Sequence, residues 1–391
     1  MLFPPIDPNE RFLARRAAAR RRKRLRRGAV AGAVLAGVAL LGAGAQFVST
    51  GSSPPVAAEN AQVAVTSSSG PRALPVEIRG VHVSMGLASL PGKLDEYLDL
   101  ERDGLTALEL DVKDENGQIG FASRDIPLAA KVGAVRDFYS PRAVSRLARE
   151  RDVYLIGRVV VFEDPILSRA RPDLAIRRSD RSVWRDSAGL GWTNPYDRRV
   201  WDYNVDVAVA AARAGFDEIM FDYVRFPSDG DVQSAVYGNR GTLSKREAVP
   251  AFLRYAAGRL ERYDVRVSAA VFGLSATRDL GIGQLPRRMA PYVDALYAMT
   301  YPSLFGPGEL GLADPSAAPG ETVSRALRRF EIALRGTHVL VLPWVQDFTF
   351  TRPFELEQVR AQIDAARRAG AKGFMLWNAE GVYTDGALAP S

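Results

Sequence analysis

The chain has 391 residues, 47% of them hydrophobic, with Lys+Arg 52 against Asp+Glu 45 and a formal charge of +7. That length and apolar share suit one large barrel or two ordinary domains and exclude wholesale disorder. With no cysteine and only two histidines (His82 and His338), disulfides, thiolate sites and multi-histidine metal centres are ruled out, and neither a metal nor another cofactor is expected.

The positive charge is local. Residues 1–27 hold ten basic side chains against Asp7 and Glu10, so the remaining chain is nearly neutral. Residues 28–48 follow at once and contain no ionisable side chain. About 20 residues at ~1.5 Å rise cross a ~30 Å hydrocarbon core, and a basic cluster before such a stretch holds that end in the cytoplasm. The expected arrangement is a basic cytoplasmic tail (1–27), a single transmembrane anchor (28–48) and an extracytoplasmic remainder at the cell membrane. Cleavage of a signal peptide near Ala43-Gly44-Ala45, giving a secreted protein, is the alternative. Residues 49–76, rich in Ser, Pro, Ala and Gly, read as a flexible linker. One folded domain, 77–391, remains.

Strand-like apolar runs then recur at 79–84, 107–113, 154–162, 218–226, 265–273, 295–301, 338–345 and 373–379. Helical patterns fall between most of them, at 94–103, 141–150, 199–214, 248–262, 322–333 and 355–369. Near-continuous apolar runs indicate strands buried on both faces of a parallel sheet. Eight such units predict an α/β fold, a (β/α)8 TIM barrel. No GxGxxG opens the first strand–helix turn, which weighs against a doubly wound sheet.

Barrel chemistry sits at the C-terminal strand ends. Strand one carries His82 and Ser84 there, and strand two Glu109, Asp111 and Lys113. Strand three places Arg158 inside and ends at Glu163 and Asp164. Strand four supplies Asp222, Tyr223 and Arg225, strand six Tyr301, strand seven Trp344, Gln346 and Asp347, and strand eight Trp377 and Asn378. Trp192 lies in the long connection after strand three, expected to wall the cleft. Carboxylates serve as acid, base or nucleophile at an anomeric carbon, and flat aromatic rings cover the apolar face of a pyranose, so this set reads as a sugar site.

Asp222, at the mouth of an apolar strand, is the first catalytic candidate; its competing role is a salt bridge to Arg158 or Arg225. Asp111, Asp347 and Glu163 are the candidates for the second acid. Arg158 should pair with Asp222 or Asp111. Arg158, Tyr223, Arg225, Tyr301, Trp344, Gln346, Trp377, Asn378 and Trp192 are expected to bind substrate. His82 is expected to be a hydrogen-bonded barrel residue and His338 structural. Asp222→Asn should lower turnover by orders of magnitude and leave the melting temperature within a few degrees or raise it. Basic patches outside the tail are scattered and lack interleaved aromatics, so no nucleic-acid partner is expected.

WTNPYDRRVWDYN (192–204) and GFDEIMFDYVRFPSDG (215–230), with ELDVKDENGQIGF (109–121), AMTYPS (298–303), PWVQDF (343–348) and WNAEGVYTDG (377–386), carry a resemblance. It covers essentially all of 77–391 and is to a family of bacterial barrels classed as glycoside hydrolases of unspecified substrate. A more distant likeness is to chitinase-type barrels, whose catalytic Glu falls two residues after the last Asp of the strand-four motif. Here that position is Val224. The resemblance implies O-glycosyl hydrolysis of an envelope or extracellular polysaccharide. A non-catalytic carbohydrate-binding or envelope-assembly barrel is the second reading, and a barrel acting on a non-sugar substrate the third.

Overall fold

In the computed structural model, which describes residues 70–350 and 352–390, eight parallel strands pair in sequence order and the last pairs with the first. The barrel expected from the hydrophobic pattern is therefore closed. Its strands are β1 (Ile78–Val83), β2 (Ala107–Lys113), β3 (Tyr154–Val160), β4 (Glu218–Asp222), β5 (Arg266–Phe272), β6 (Ala295–Met299), β7 (Leu340–Gln346) and β8 (Gly373–Trp377). Between them run α1 (Lys93–Asp99), α2 (Pro141–Glu150), α3 (Arg198–Arg213), α4 (Lys245–Leu260), α5 (Pro319–Ala333) and α6 (Leu356–Arg368). The β5–β6 connection has only short helical turns, Pro286–Met289 and Ala290–Tyr292, and the sequence shows no helical period there.

Alternation along each strand divides the core in two. Ile219 and Phe221 face outward into the shell under the helices, whereas Met220 joins Ile156, Tyr297, Trp344 and Met375 inside the barrel. By the same parity β4 sends Glu218 to the barrel floor and Asp222 to its mouth. On the floor Glu218 accepts hydrogen bonds from Ser268 Oγ at 2.5 Å and Tyr154 OH at 3.2 Å, which satisfies an otherwise costly buried carboxyl.

Local signals fix the helix ends. Ser140 and Asp197 accept the first free N–H groups of α2 and α3, and Ser244 with Glu247 forms a capping box on α4. Gly215, at φ 98°, takes the left-handed conformation that turns α3 into β4.

Among the described residues no helix is long and apolar enough to cross a membrane. The basic tail, the expected anchor at 28–48 and the linker as far as residue 69 lie outside the described residues. The last stretch of the expected linker is not free. Arg72 donates to Val153 O at 2.9 Å and pairs with Asp217 at 3.1 Å and with Asp152, and Leu74 packs on the barrel floor.

Candidate active site

Arg158 stands at the centre of the barrel mouth. An inward residue of β3, it is 2% exposed, and a guanidinium so deep must be paired. It donates to Asp222 Oδ2 from Nε at 2.9 Å and from Nη2 at 2.6 Å, and to Asp111 Oδ1 from Nη1 at 2.7 Å. Both pairings expected of this residue are thus made at once. Glu115 at 3.6 Å and Glu109 at 3.8 Å complete a ring of four carboxylates around one cation.

One positive charge cannot hold four buried negative charges, and the proton affinities of Asp111 and Glu109 are pushed in opposite directions. Burial alone would raise Asp111, but the facing His82 and Arg158 charges and their hydrogen bonds outweigh it and bring the carboxyl to about 2. Glu109, one layer deeper and fully buried, has no hydrogen-bond partner among the described residues, and desolvation pushes it well above the ordinary range despite Arg158. Burial also depresses His82, more than Asp111 restores it. The imidazole donates Nε2–H to the Asp111 carboxylate at Oδ1, 2.9 Å away. Its role as a hydrogen-bonded barrel residue holds.

Asp222 is fixed from its other side by Tyr223, whose N–H donates to Oδ1 at 2.7 Å. Tyr223 itself has φ 49°, a conformation that bulky residues rarely adopt. Such strain persists only where its surroundings impose it, and it falls on the residue that follows the central carboxylate.

A cavity of about 30 Å³ opens above this cluster, lined by Arg158, Asp222, Tyr223, Arg225, Tyr301, Trp344 and Trp377 among others. Trp377 stacks on His82 at 4.2 Å and on Trp344 at 5.0 Å, and lies 5.3 Å from the Arg158 guanidinium carbon. Tyr301 OH, Trp344 Nε1 and Trp377 Nε1 are buried and make no hydrogen bond among the described residues. A buried polar atom left unpaired costs ~1–3 kcal/mol. Three of them on the walls of one cavity suit a ligand rich in hydroxyl groups.

Other expected site residues are committed elsewhere. Trp192 is fully buried behind the cavity, with Nε1 donating to Asp186 at 3.0 Å and its ring against the Arg225 guanidinium, so no face is left for a sugar. Gln346 spends its amide on Ser303 and on Phe348 O, tying β7 to the loop after β6. Asp347 accepts from Thr384 N and Oγ1, and burial raises its pKa against those bonds. Asn378 donates to Asp347 O and accepts from Glu380 N, holding the turn after β8. Glu163 is buried beside Trp192 in the β3 connection and does not line the cavity. Asp164 caps the short helix Pro165–Ala170 and pairs with Lys113 at 2.9 Å. Exposed His338 precedes β7 at the far end. Glu109 was visible as an inward residue two positions before Asp111, and the same period-2 argument would have placed it in the cluster.

Among the described residues no group of three or more His, Asp or Glu side chains is arranged to hold a metal ion. Asp114, close in sequence to Asp111, instead closes its own turn through Asn116 and Gln118.

Residues 80–383 match a family described as "Putative glycosyl hydrolase domain". Among solved structures, a hypothetical protein from Ruminiclostridium thermocellum is 34% identical over 48% of this chain and 96% of its own, with a TM-score of 0.45. The PgaB (BpsB) glycoside hydrolase domain of Bordetella bronchiseptica is 14% identical over 78% of this chain and 95% of its own, with a TM-score of 0.58. The C-terminal domain of a "putative chitinase" from Desulfitobacterium hafniense is 11% identical over 80% and 96%, with a TM-score of 0.50. At those identities the latter two speak for the fold alone. No curated protein matches the sequence.

Proposed function

The chain belongs to this glycosyl hydrolase domain family, and from that premise we propose that it hydrolyses O-glycosidic bonds of an envelope or extracellular polysaccharide, with Asp222 acting at the anomeric carbon. The observation that carries the reading is the cavity at the barrel mouth. A carboxylate fixed by Arg158 and Tyr223 faces three aromatic side chains whose polar atoms have no partner. Hydroxyls of a sugar presented at the cavity would supply the partners that those atoms lack.

Asp111 is the second carboxylate of the reading. Its low pKa excludes it as a proton donor at neutral pH and suits it to hold charge beside the reacting centre. One guanidinium holds Asp111 and Asp222 from opposite edges, Nη1 on one and Nε with Nη2 on the other, so the two carboxylates stand apart across it. With Val224 buried in the outer shell where chitinase-type barrels carry their acid, the reading does not borrow their mechanism.

The anchor at 28–48 would place the barrel outside the cytoplasm, facing such a polymer. The test treats envelope and exopolysaccharide preparations with the full chain and detects new reducing ends. Release by the wild type, lost in Asp222→Asn, supports hydrolysis; binding without release points to a non-catalytic carbohydrate barrel. Protease added to protoplasts should remove the barrel and leave a small membrane-bound N-terminal fragment, whereas a mature N-terminus near Gln46 would mean cleavage.

A further inference from the structure

The small cavity is not closed. Phe272, Met299 and Leu304, which line it, also line a groove of about 500 Å³ that runs outward across the loops after β4, β5 and β6. The floor of this groove is apolar, from Phe272, Leu274, Ile282, Met299 and Phe305. Its charged groups are Lys245, Arg278 and Glu309, and two of these cancel, since Arg278 pairs with Glu309 at 2.9 Å. Lys245 is left over. Half-buried at the start of α4, its Nζ lies 5.2 Å from the ring of Phe226 and 5.5 Å from that of Tyr237. It has no carboxylate and no hydrogen-bond acceptor among the described residues.

An ammonium costs free energy when it is partly desolvated, and aromatic faces compensate only in part. Burial accordingly depresses its pKa, with no neighbouring charge to restore it. A lone cation kept on the wall of a groove that adjoins the reacting centre is suited to receive an anion. We propose that the groove binds the sugar next to the scissile one and that Lys245 recognises an acidic substituent on it, a carboxylate or a phosphate, so that the substrate is an anionic polysaccharide. This rests on the hydrolytic reading only for the word substrate; the anion site itself is a matter of binding.

The experiment measures binding by calorimetry to the full chain at low and high salt. The probes are an oligogalacturonate, the same oligomer with its carboxyls reduced, and a phosphate-substituted neutral oligosaccharide with its unsubstituted parent. Each is tested on the wild type, Lys245→Met and Lys245→Arg. A charge-assisted contact in a half-buried site is expected to favour one acidic probe over its neutral counterpart by roughly tenfold. Which acidic probe shows the preference identifies the carboxylate or the phosphate. Lys245→Met should erase the preference, Lys245→Arg should keep most of it, and salt should weaken it. If the wild type binds acidic and neutral probes equally, or if the preference survives Lys245→Met, the proposal is overturned. Should Lys245→Met fail to fold, the wild-type ranking and Lys245→Arg still decide. Preference without reducing-end release would sustain the anion site and sink the hydrolysis; release from neutral and acidic polymers alike, insensitive to Lys245, would do the reverse.

Discussion

Asp222→Asn preserves side-chain volume and removes the charge, and the structure sets what that should cost. The asparagine oxygen must stay with the Tyr223 N–H, so its NH2 group turns toward Arg158 Nε and Nη2, where donor meets donor. Two charge-assisted bonds to a guanidinium that is 2% exposed are lost, and only Asp111 remains in hydrogen-bonding contact with it. Removing one partner of a buried ion pair costs ~3–5 kcal/mol, and the surviving Asp111 contact argues for the lower end. In a domain of this size ~3 kcal/mol lowers the melting temperature by roughly 4–5 °C. The expectation drawn from the chain alone, a melting temperature within a few degrees or raised, thereby narrows to a modest fall. Denaturant titration measures the loss, and turnover is assayed well below the transition so that the folded variant is compared with the folded wild type. Turnover should still fall by orders of magnitude. A variant as stable as the wild type would refute the pairing, and near-normal turnover by the folded variant would remove Asp222 from the chemistry.

Tyr301→Phe deletes a hydroxyl that has no partner among the described residues, so stability should change by less than ~1 kcal/mol while glycan affinity falls several-fold in a titration; loss of stability without loss of affinity would make the hydroxyl structural. Gln346→Ala, in contrast, should destabilise by ~1–3 kcal/mol, read by thermal melting, because Ser303 N and Phe348 O lose buried partners. A change in substrate preference with full stability would return this residue to the binding site. The carboxyls of the cluster also predict opposite pH dependences. Asp111 is depressed in the fold, so its stabilisation is present above pH ~4 and is lost as pH falls from there toward about 2. Glu109 is raised, so its contribution is full below its unfolded pKa and is lost as pH climbs from ~4.5 through the folded value. Stability curves of Glu109→Gln and wild type should therefore diverge in favour of the variant as pH rises; parallel curves would mean that Glu109 has an ordinary pKa.

The barrel was legible because its signal is local. Strands buried on both faces need unbroken apolar runs, and all eight lie where those runs were read. Arg158 was legible for a similar reason, since an inward guanidinium cannot stay unpaired. What the chain alone did not show was which neighbour a loop delivers. Trp192, Gln346 and Asp347 have the residue types of a sugar site, yet Asp186, Ser303 and Thr384 reach them first, from segments with no periodicity to predict their path. Lys245 was passed over because its rings come from the loop that begins at Phe226, and its lack of a carboxylate is visible only in three dimensions.

Hydrolysis at the Asp222 cavity is tested most directly by digesting an acidic polysaccharide in ¹⁸O-water and weighing the products. The wild type should place one ¹⁸O at each new reducing end, and folded Asp222→Asn should yield almost none. Unlabelled or unsaturated ends would mean a lyase-type cleavage, and intact polymer recovered from the wild type would mean a barrel that binds glycans without cutting them.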